Sequence, residues 1–313
     1  RVHLLTPTRG IMVDRTGVPL VRNVPQYAIG MIPADLPRGA ARTDLLGRIA
    51  SVLARPAADL EATIAAYPAL LTEPIIIREN ITYEDAIRSV IAANSPALTL
   101  LTSEQRDYRV PDARAPEILA HVIGYVARIS PTEYAKLSDA RYRPNDRIGK
   151  TGIEGAHEAA LRGSPGVQTT IVDAHGRAVA VAAEDPPQPG VPFALTIDRQ
   201  LDLMTEQALA AGIRSAGAHA GAAVVMDPDT GDLLALASAP TFSPTALAQG
   251  ISSGDYATLA SDRHQPLFSR AISGLYPSGS VVKPFIATAA LSLGIITPTT
   301  TVPSTGGIRV GNS

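Results

Sequence analysis

Apolar positions along the chain recur with two different periods. Arg9 to Leu20 alternates on either side of Asp14-Arg15-Thr16-Gly17, a pattern that predicts a hairpin, and Gln26 to Ile32 predicts a further strand. From Arg42 to Tyr67 the period lengthens: Leu45, Leu46, Ile49, Val52 and Leu53 share a helical face, Pro56 interrupts, and Leu60, Ile64 and Ala65 resume. Pro74 to Ile81 is a β-branched run. Thr82 then stands as the cap of a helix carrying Ala86, Ile87, Val90 and Ile91. Leu98 to Val110 predicts a strand, Ile118 to Ile129 is apolar around Gly124, and Ser130-Pro131-Thr132-Glu133 opens a short helix. Thr169 to Val181 predicts a hairpin around Ala174-His175-Gly176.

The prolines crowd between Glu184 and Pro192, which sets the expected domain boundary: residues 1–190 and residues 191–313. Beyond it, Asp198 caps a helix with Leu201, Met204, Leu209 and Ile213 inward, and Ala222 to Met226 reads as a buried strand. Asp227 to Asp232 is a turn and Leu233 to Ala237 the returning strand. An irregular helical stretch spans Pro244 to Ala260, and a last apolar run, Val281 to Leu293, ends at Gly294. Helices on an antiparallel sheet make the expected fold class α+β.

That last run carries the chain's most specific chemistry. Ser280 and Lys283 are three residues apart at its start, and residues i and i+3 share a helical face. A serine hydroxyl is a poor nucleophile until a neighbouring base takes its proton. A lysine becomes that base when burial or nearby positive potential lowers its pKa. The helix dipole favours negative charge developing on the serine oxygen. Serine and lysine are common, so the spacing alone is more often a first-turn serine beside a solvated lysine. A single charge at the head of an apolar helix shifts the balance toward a role.

Other sites are weaker. Gly149-Lys150-Thr151 lacks the first glycine of a phosphate loop, since position 144 is Pro144. Glu154 and His157 have metal-pair spacing but no second pair, so no metal is expected. Glu158 and Arg162 are spaced for an i,i+4 ion pair. His3, His121, His175, His219 and His264 show no ligand spacing.

With 313 residues, 45% of them hydrophobic and 18% charged, the chain is globular, with room for two domains. A net charge of −2 without a basic run gives no case for nucleic acid. Tryptophan is absent and aromatics make up 4%, which argues against a stacking platform for bases or sugars. The absence of cysteine excludes disulfides and thiolate chemistry. No run of apolar residues is long enough to span a membrane. A start at Arg1 reads as a trimmed chain.

Several motifs together resemble class B penicillin-binding proteins, the monofunctional D,D-transpeptidases of bacterial cell-wall synthesis, and above all their elongation branch. Arg9-Gly10 with Asp14-Arg15-Thr16-Gly17 is similar to the entry motif after the membrane anchor. Glu79-Asn80, His121 to Val126, and Gly152-Ile153-Glu154 through Glu158 to Leu161-Arg162-Gly163 are similar to the non-catalytic pedestal. Asp227-Pro228-x-Thr230-Gly231, Arg270-Ala271 and Tyr276-Pro277-x-Gly279-Ser280-x-x-Lys283-Pro284 resemble the start of the transpeptidase domain.

The resemblance implies an extended mixed pedestal domain followed by the N-terminal part of a transpeptidase domain. It implies Ser280 as nucleophile and Lys283 as its base, acting on peptidoglycan stem peptides and acylated by β-lactams, with no cofactor. It also implies a membrane glycosyltransferase of the elongation machinery as partner. The location implied is the bacterial inner membrane, with a single-pass anchor outside this chain and the bulk in the periplasm. The family's Ser-x-Asn and Lys-Ser/Thr-Gly motifs do not occur between Ser280 and Ser313, so the chain on its own is expected to be inactive. Two other readings are a non-catalytic scaffold that activates the glycosyltransferase, and a β-lactam sensor or serine β-lactamase. The long pedestal argues against a sensor or lactamase, which needs none.

Overall fold

The computed structural model describes residues 2–67, 69–71, 74–108, 119–137, 142–143, 146–172, 178–301, 303 and 306. Val110, Ile118, Pro144, the Ala174-His175-Gly176 turn and the side chains of His3 and Asn80 lie outside the described residues. The chain forms two compact units, Arg1–Ile272 and Ser273–Ser313.

In the first unit, β1 (Val2–Leu5) precedes the expected hairpin of β2 (Met12–Val13) and β3 (Pro19–Met31). Asp14 makes the turn. Its Oδ1 accepts the Thr16 and Val18 N–H groups at 2.8 and 2.9 Å and the Thr16 hydroxyl at 2.7 Å. Burial alone would raise the Asp14 pKa; these hydrogen bonds outweigh it and hold it below the usual value. Where the sequence predicted two separate strands, β3 is continuous through Pro25. Proline is tolerated there because pairing with β4 begins only at Tyr27, so no partner on that side needs the missing N–H.

Helices α1 (Ala40–Leu53) and α2 (Ala57–Ala65) part at Pro56, as the pattern predicts. The buried stripe of α1 is Leu45, Leu46, Ile49 and Leu53; Val52, expected inward, falls off its edge and is exposed. Next come β4 (Ile75–Ile81), α3 (Tyr83–Ala93) and β5 (Leu98–Asp107). The Thr82 hydroxyl caps α3 by accepting the Asp85 N–H. The inner face of α3 is Ala86, Ser89 and Ala93, while Ile91 is 71% exposed. Small side chains let α3 lie close to α1, β3 and β5, which leaves Ile87 and Val90 half-buried at its edges and Ile91 outward.

The chain continues through α4 (Ala120–Ile123), β6 (Val126–Arg128), α5 (Pro131–Leu137) and β7 (Arg147–Gly149). Then come α6 (Gly152–Ala156), α7 (Glu158–Arg162), β8 (Gly166–Val172) and β9 (Ala178–Asp185). A Ser130–Glu133 capping box starts α5: each backbone N–H reaches the other's side chain. Lys150, in the rejected phosphate-loop motif, bonds Glu133 at 2.6 Å. Burial pushes the Glu133 pKa up, but Lys150 and Ser130 override it and hold it at about 2.

Gly124 ends α4 at φ +76°, where a Cβ would lie 1.8 Å from the Thr151 carbonyl oxygen. Gly124→Ala is expected to lower stability by about 3 kcal/mol or more, through strain plus a backbone clash. The check is the urea midpoint, and an unchanged midpoint would contradict this packing.

After the proline cluster β10 (Phe193–Ala194) pairs parallel with β2, so the chain re-enters the first sheet. That sheet runs β10-β2-β3-β4 with β5 also on β3; β1-β8-β9, β6-β7 and β11-β12 form separate sheets. Then follow α8 (Arg199–Ser215), β11 (Gly221–Met226), β12 (Leu233–Ala239), α9 (Pro244–Gln249), α10 (Ser253–Ser261) and α11 (Arg270–Ser273). One core joins Met12, Leu20, Tyr108 and Leu161 to Ile197, Phe242 and Leu247, residues from both sides of the proline cluster. A second, around Ile29, Leu46, Ile49 and Leu60, holds α1 and α2 on the sheet.

Asp198 caps α8 through the Gln200 and Leu201 N–H groups. Two burial expectations fail here. Met204 is 65% exposed, because Asp202 takes the inward position and accepts the Leu236 N–H at 2.9 Å. β11 is half-buried, with Val224 and Met226 outward, because α8 covers one face of the β11–β12 pair.

Candidate active site

The second unit is built around Tyr276 to Ser292. Gly279, at φ +55°, starts a short 3-10 turn, Gly279–Val282, which feeds α12 (Lys283–Ser292). The sequence predicted an α-helix from Ser280; the structure delays it to Lys283. In the 3-10 turn the Lys283 N–H donates to the Ser280 carbonyl. A 3-10 turn has about 3 residues per turn, so the step from Ser280 to Lys283 spans about one turn, from inside the 3-10 segment to the first residue of α12. Pro284 falls in the first α turn, where its missing N–H leaves no gap. At the other end, the Gly294 N–H reaches the Leu291 carbonyl at 3.1 Å and the Ile295 N–H the Ala290 carbonyl at 2.9 Å. With Gly294 at φ +68°, this double closure is a Schellman stop, placed where the sequence put it.

Both Ser280 and Lys283 are exposed, and no hydrogen bond joins the hydroxyl to the ammonium. The helix below them is apolar on every side yet has no buried residue: Val281 is 75% exposed and Phe285 73%. An all-apolar helix is the kind that a core encloses.

Glu154 and His157, the rejected metal pair, are separated by a break between α6 and α7 at His157. The His157 ring packs on Phe193 at 4.8 Å. Glu154 is wholly buried: Arg9 Nε donates to Oε2 and Arg106 Nε to Oε1, each at 2.7 Å. Burial opposes the Arg9 charge, but Glu154 and Glu158 outweigh it and raise the Arg9 pKa. Arg106 also donates to the Gly10 carbonyl and to Asn23 Oδ1, tying three segments together. The expected Glu158–Arg162 pair does not form. Glu158 pairs with Arg9 at 2.7 Å and accepts the Tyr142 hydroxyl, while Arg162 reaches Asp146 and covers the Tyr142 ring. Among the described residues no group of three His, Asp or Glu is placed to hold a metal.

The sequence pattern singled out neither of two acids on α8, the buried Asp202 and the half-buried Glu206. Asp202 and Glu206 lie one turn apart on α8, a spacing that would have placed both on the inner face had Met204 not been assigned there. Asp202 Oδ2 is buried without a hydrogen-bond partner, and burial raises its pKa to about 6. Burial, then the charge of Asp202, raises that of Glu206 to about 7, although the Leu119 N–H donates to it. Raised carboxyl pKa values favour folding at low pH, and this contribution is lost as pH rises from about 4 to about 7. Asp202→Asn is therefore expected to gain stability relative to the parent, by on the order of 1–3 kcal/mol, between pH 5 and pH 8. Paired urea titrations measure this; a difference independent of pH would contradict it.

Comparison with known proteins covers most of the chain. Residues 4–195 match the model of the Penicillin-binding Protein dimerisation domain. The chain belongs to the penicillin-binding proteins. Residues 221–313, which include Ser280 and Lys283, match the Penicillin binding protein transpeptidase domain. The chain is 35% identical over 303 residues to the peptidoglycan D,D-transpeptidase MrdA of Escherichia coli K12, covering 95% of this chain and 46% of that protein. For the FtsI D,D-transpeptidase of the same organism identity is 26% over 298 residues, covering 95% and 44%. A solved complex between penicillin-binding protein PBP2 and MreC from Helicobacter pylori superposes with a TM-score of 0.80 at 26% identity, covering all of this chain and 57% of that one. The chain thus spans about half the length of the curated relatives it matches. No helix among the described residues is long and apolar enough to cross a membrane.

Proposed function

We propose that this chain is the pedestal and the beginning of the catalytic domain of a serine D,D-transpeptidase of the elongation type. The boundary between the two parts lies at 190/191. One observation carries the reading: an exposed serine in a 3-10 turn, three residues before an exposed lysine that opens a largely apolar helix. Lys283 takes the Ser280 proton as Ser280 Oγ attacks the carbonyl of the penultimate D-alanine of a stem peptide. The terminal D-alanine leaves with a proton, and an amine from a neighbouring stem then displaces the serine and forms the cross-link. The Ser280 N–H, in a first turn where such groups lack intrahelical partners, faces the developing oxyanion. A β-lactam acylates the same oxygen by ring opening and remains there.

Greater identity to MrdA than to FtsI supports elongation over division. The protein's bulk is periplasmic, held by a single-pass inner-membrane anchor outside this chain. A second reading makes the pedestal a scaffold that activates a membrane glycosyltransferase; the neighbouring PBP2 structure, solved with MreC, supports a protein partner for this kind of chain and does not name that enzyme. Fluorescent penicillin labelling of the full-length protein separates the two. The transpeptidase reading expects labelling that Ser280→Ala abolishes; a pure scaffold is not labelled. Rapid release of hydrolysed drug would instead indicate a β-lactamase.

A further inference from the structure

In the first unit, the strands β3 and β5 and the end of β4 meet Gln249 of α9 around a cleft of about 360 Å³ that is open to solvent. Three of its lining side chains are glutamines: Gln26, Gln105 and Gln249. Gln26 is 5% exposed and forms the floor. Gln105 and Gln249 make no side-chain hydrogen bond to the described residues, so the amides of these two lining residues have donors and acceptors unspent. Tyr27 lines the same cleft, and its ring lies 5.1 Å from that of Tyr83 at 54°. No lining residue is charged.

We propose that this cleft binds a short stretch of N-acetylated sugar. An uncharged lining gives no counter-charge for a phosphate, a carboxylate or a metal ion. The two unspent primary amides match a ligand dense in hydroxyl and acetamido groups, each able to donate and to accept. Tyrosine and Pro25 supply the apolar surface on which a sugar ring rests. An extended peptide would add itself to the β3 edge that β4 leaves open before Tyr27, but Pro25, in the middle of that short edge, has no N–H to offer an added strand. The volume is at the low end of small-ligand sites, about 300–1,000 Å³, which suits a few rings of a longer polymer. The shortage of aromatic residues argued against a sugar platform; in this cleft one tyrosine, Tyr27, held against Tyr83, and Pro25 supply the surface for a single ring.

The cell-wall reading supplies only the choice of probe, and acylation of Ser280 is a separate readout that survives if the cleft is empty. The test titrates the 313-residue chain with chitotetraose and, in parallel, with cellotetraose, which lacks the acetamido groups, following chemical shifts of the glutamine side-chain amides. Saturable chitotetraose binding is expected, with cellotetraose at least about 5-fold weaker and Gln105→Leu or Gln249→Leu each about 5-fold weaker. Gln207→Leu, on the exposed part of α8, should bind as the parent does, and urea midpoints of all variants should match. No saturable binding by the folded parent, equal binding of the two sugars, or indifference to both glutamine substitutions would overturn the proposal.

Discussion

Lys283→Met in the full-length protein is expected to slow acylation by penicillin about 10²–10⁴-fold, the range a positioned general base supplies. Ser280→Ala is expected to remove acylation outright. Lys283 is exposed in its own unit and makes no ion pair among the described residues, so folding should hardly notice its loss. A melting temperature within a degree or two of the parent, beside a collapsed acylation rate, would separate chemistry from stability. A Lys283→Met protein acylated at the parent's rate would remove the lysine from the mechanism and leave the serine to another base.

Glu154→Ala should produce the largest loss of stability in the pedestal. The substitution leaves Arg9 and Arg106 facing each other across a vacated, solvent-excluded space, with Arg106 only 2% exposed. Breaking a buried pair from one side costs about 3–5 kcal/mol, a large share of the 5–15 kcal/mol that holds a typical domain together. Tyr108 loses support as well. Burial pushes its pKa well up, so it stays a neutral phenol, and it accepts the Val126 N–H at 2.9 Å beside Glu154. A melting-temperature fall on the order of 10 °C, or no cooperative transition, is expected by calorimetry. Glu154→Gln, which keeps the shape and some hydrogen bonds, should fall between. A Glu154→Ala protein as stable as the parent would mean that the arginines reach solvent.

Local chemistry made much of this fold legible. Asp14, Thr82, Ser130 and Asp198 each announce a turn or a helix start, and each side chain bonds the backbone N–H groups such a cap requires. Gly294 marks a helix end in the same way. Which face points inward was less legible, because neighbours decide it. Ile91 turns outward where small residues allow close packing, and Met204 turns outward where Asp202 finds a backbone donor on β12. Glu158 pairs across the fold with Arg9 instead of along its own helix, because a buried guanidinium needs two carboxylates more than a surface turn needs an ion pair. The Ser280–Lys283 spacing was visible, but the 3-10 turn that delays the α-helix to Lys283 was not, because it opens on Gly279 at a positive φ.

The most direct measurement is the site of covalent attachment. Full-length protein exposed to benzylpenicillin, digested and sequenced by mass spectrometry, should carry one intact drug on the peptide that contains Ser280, bound through that oxygen and absent from Ser280→Ala. An adduct on any other residue, or no adduct on folded protein, would contradict the assignment.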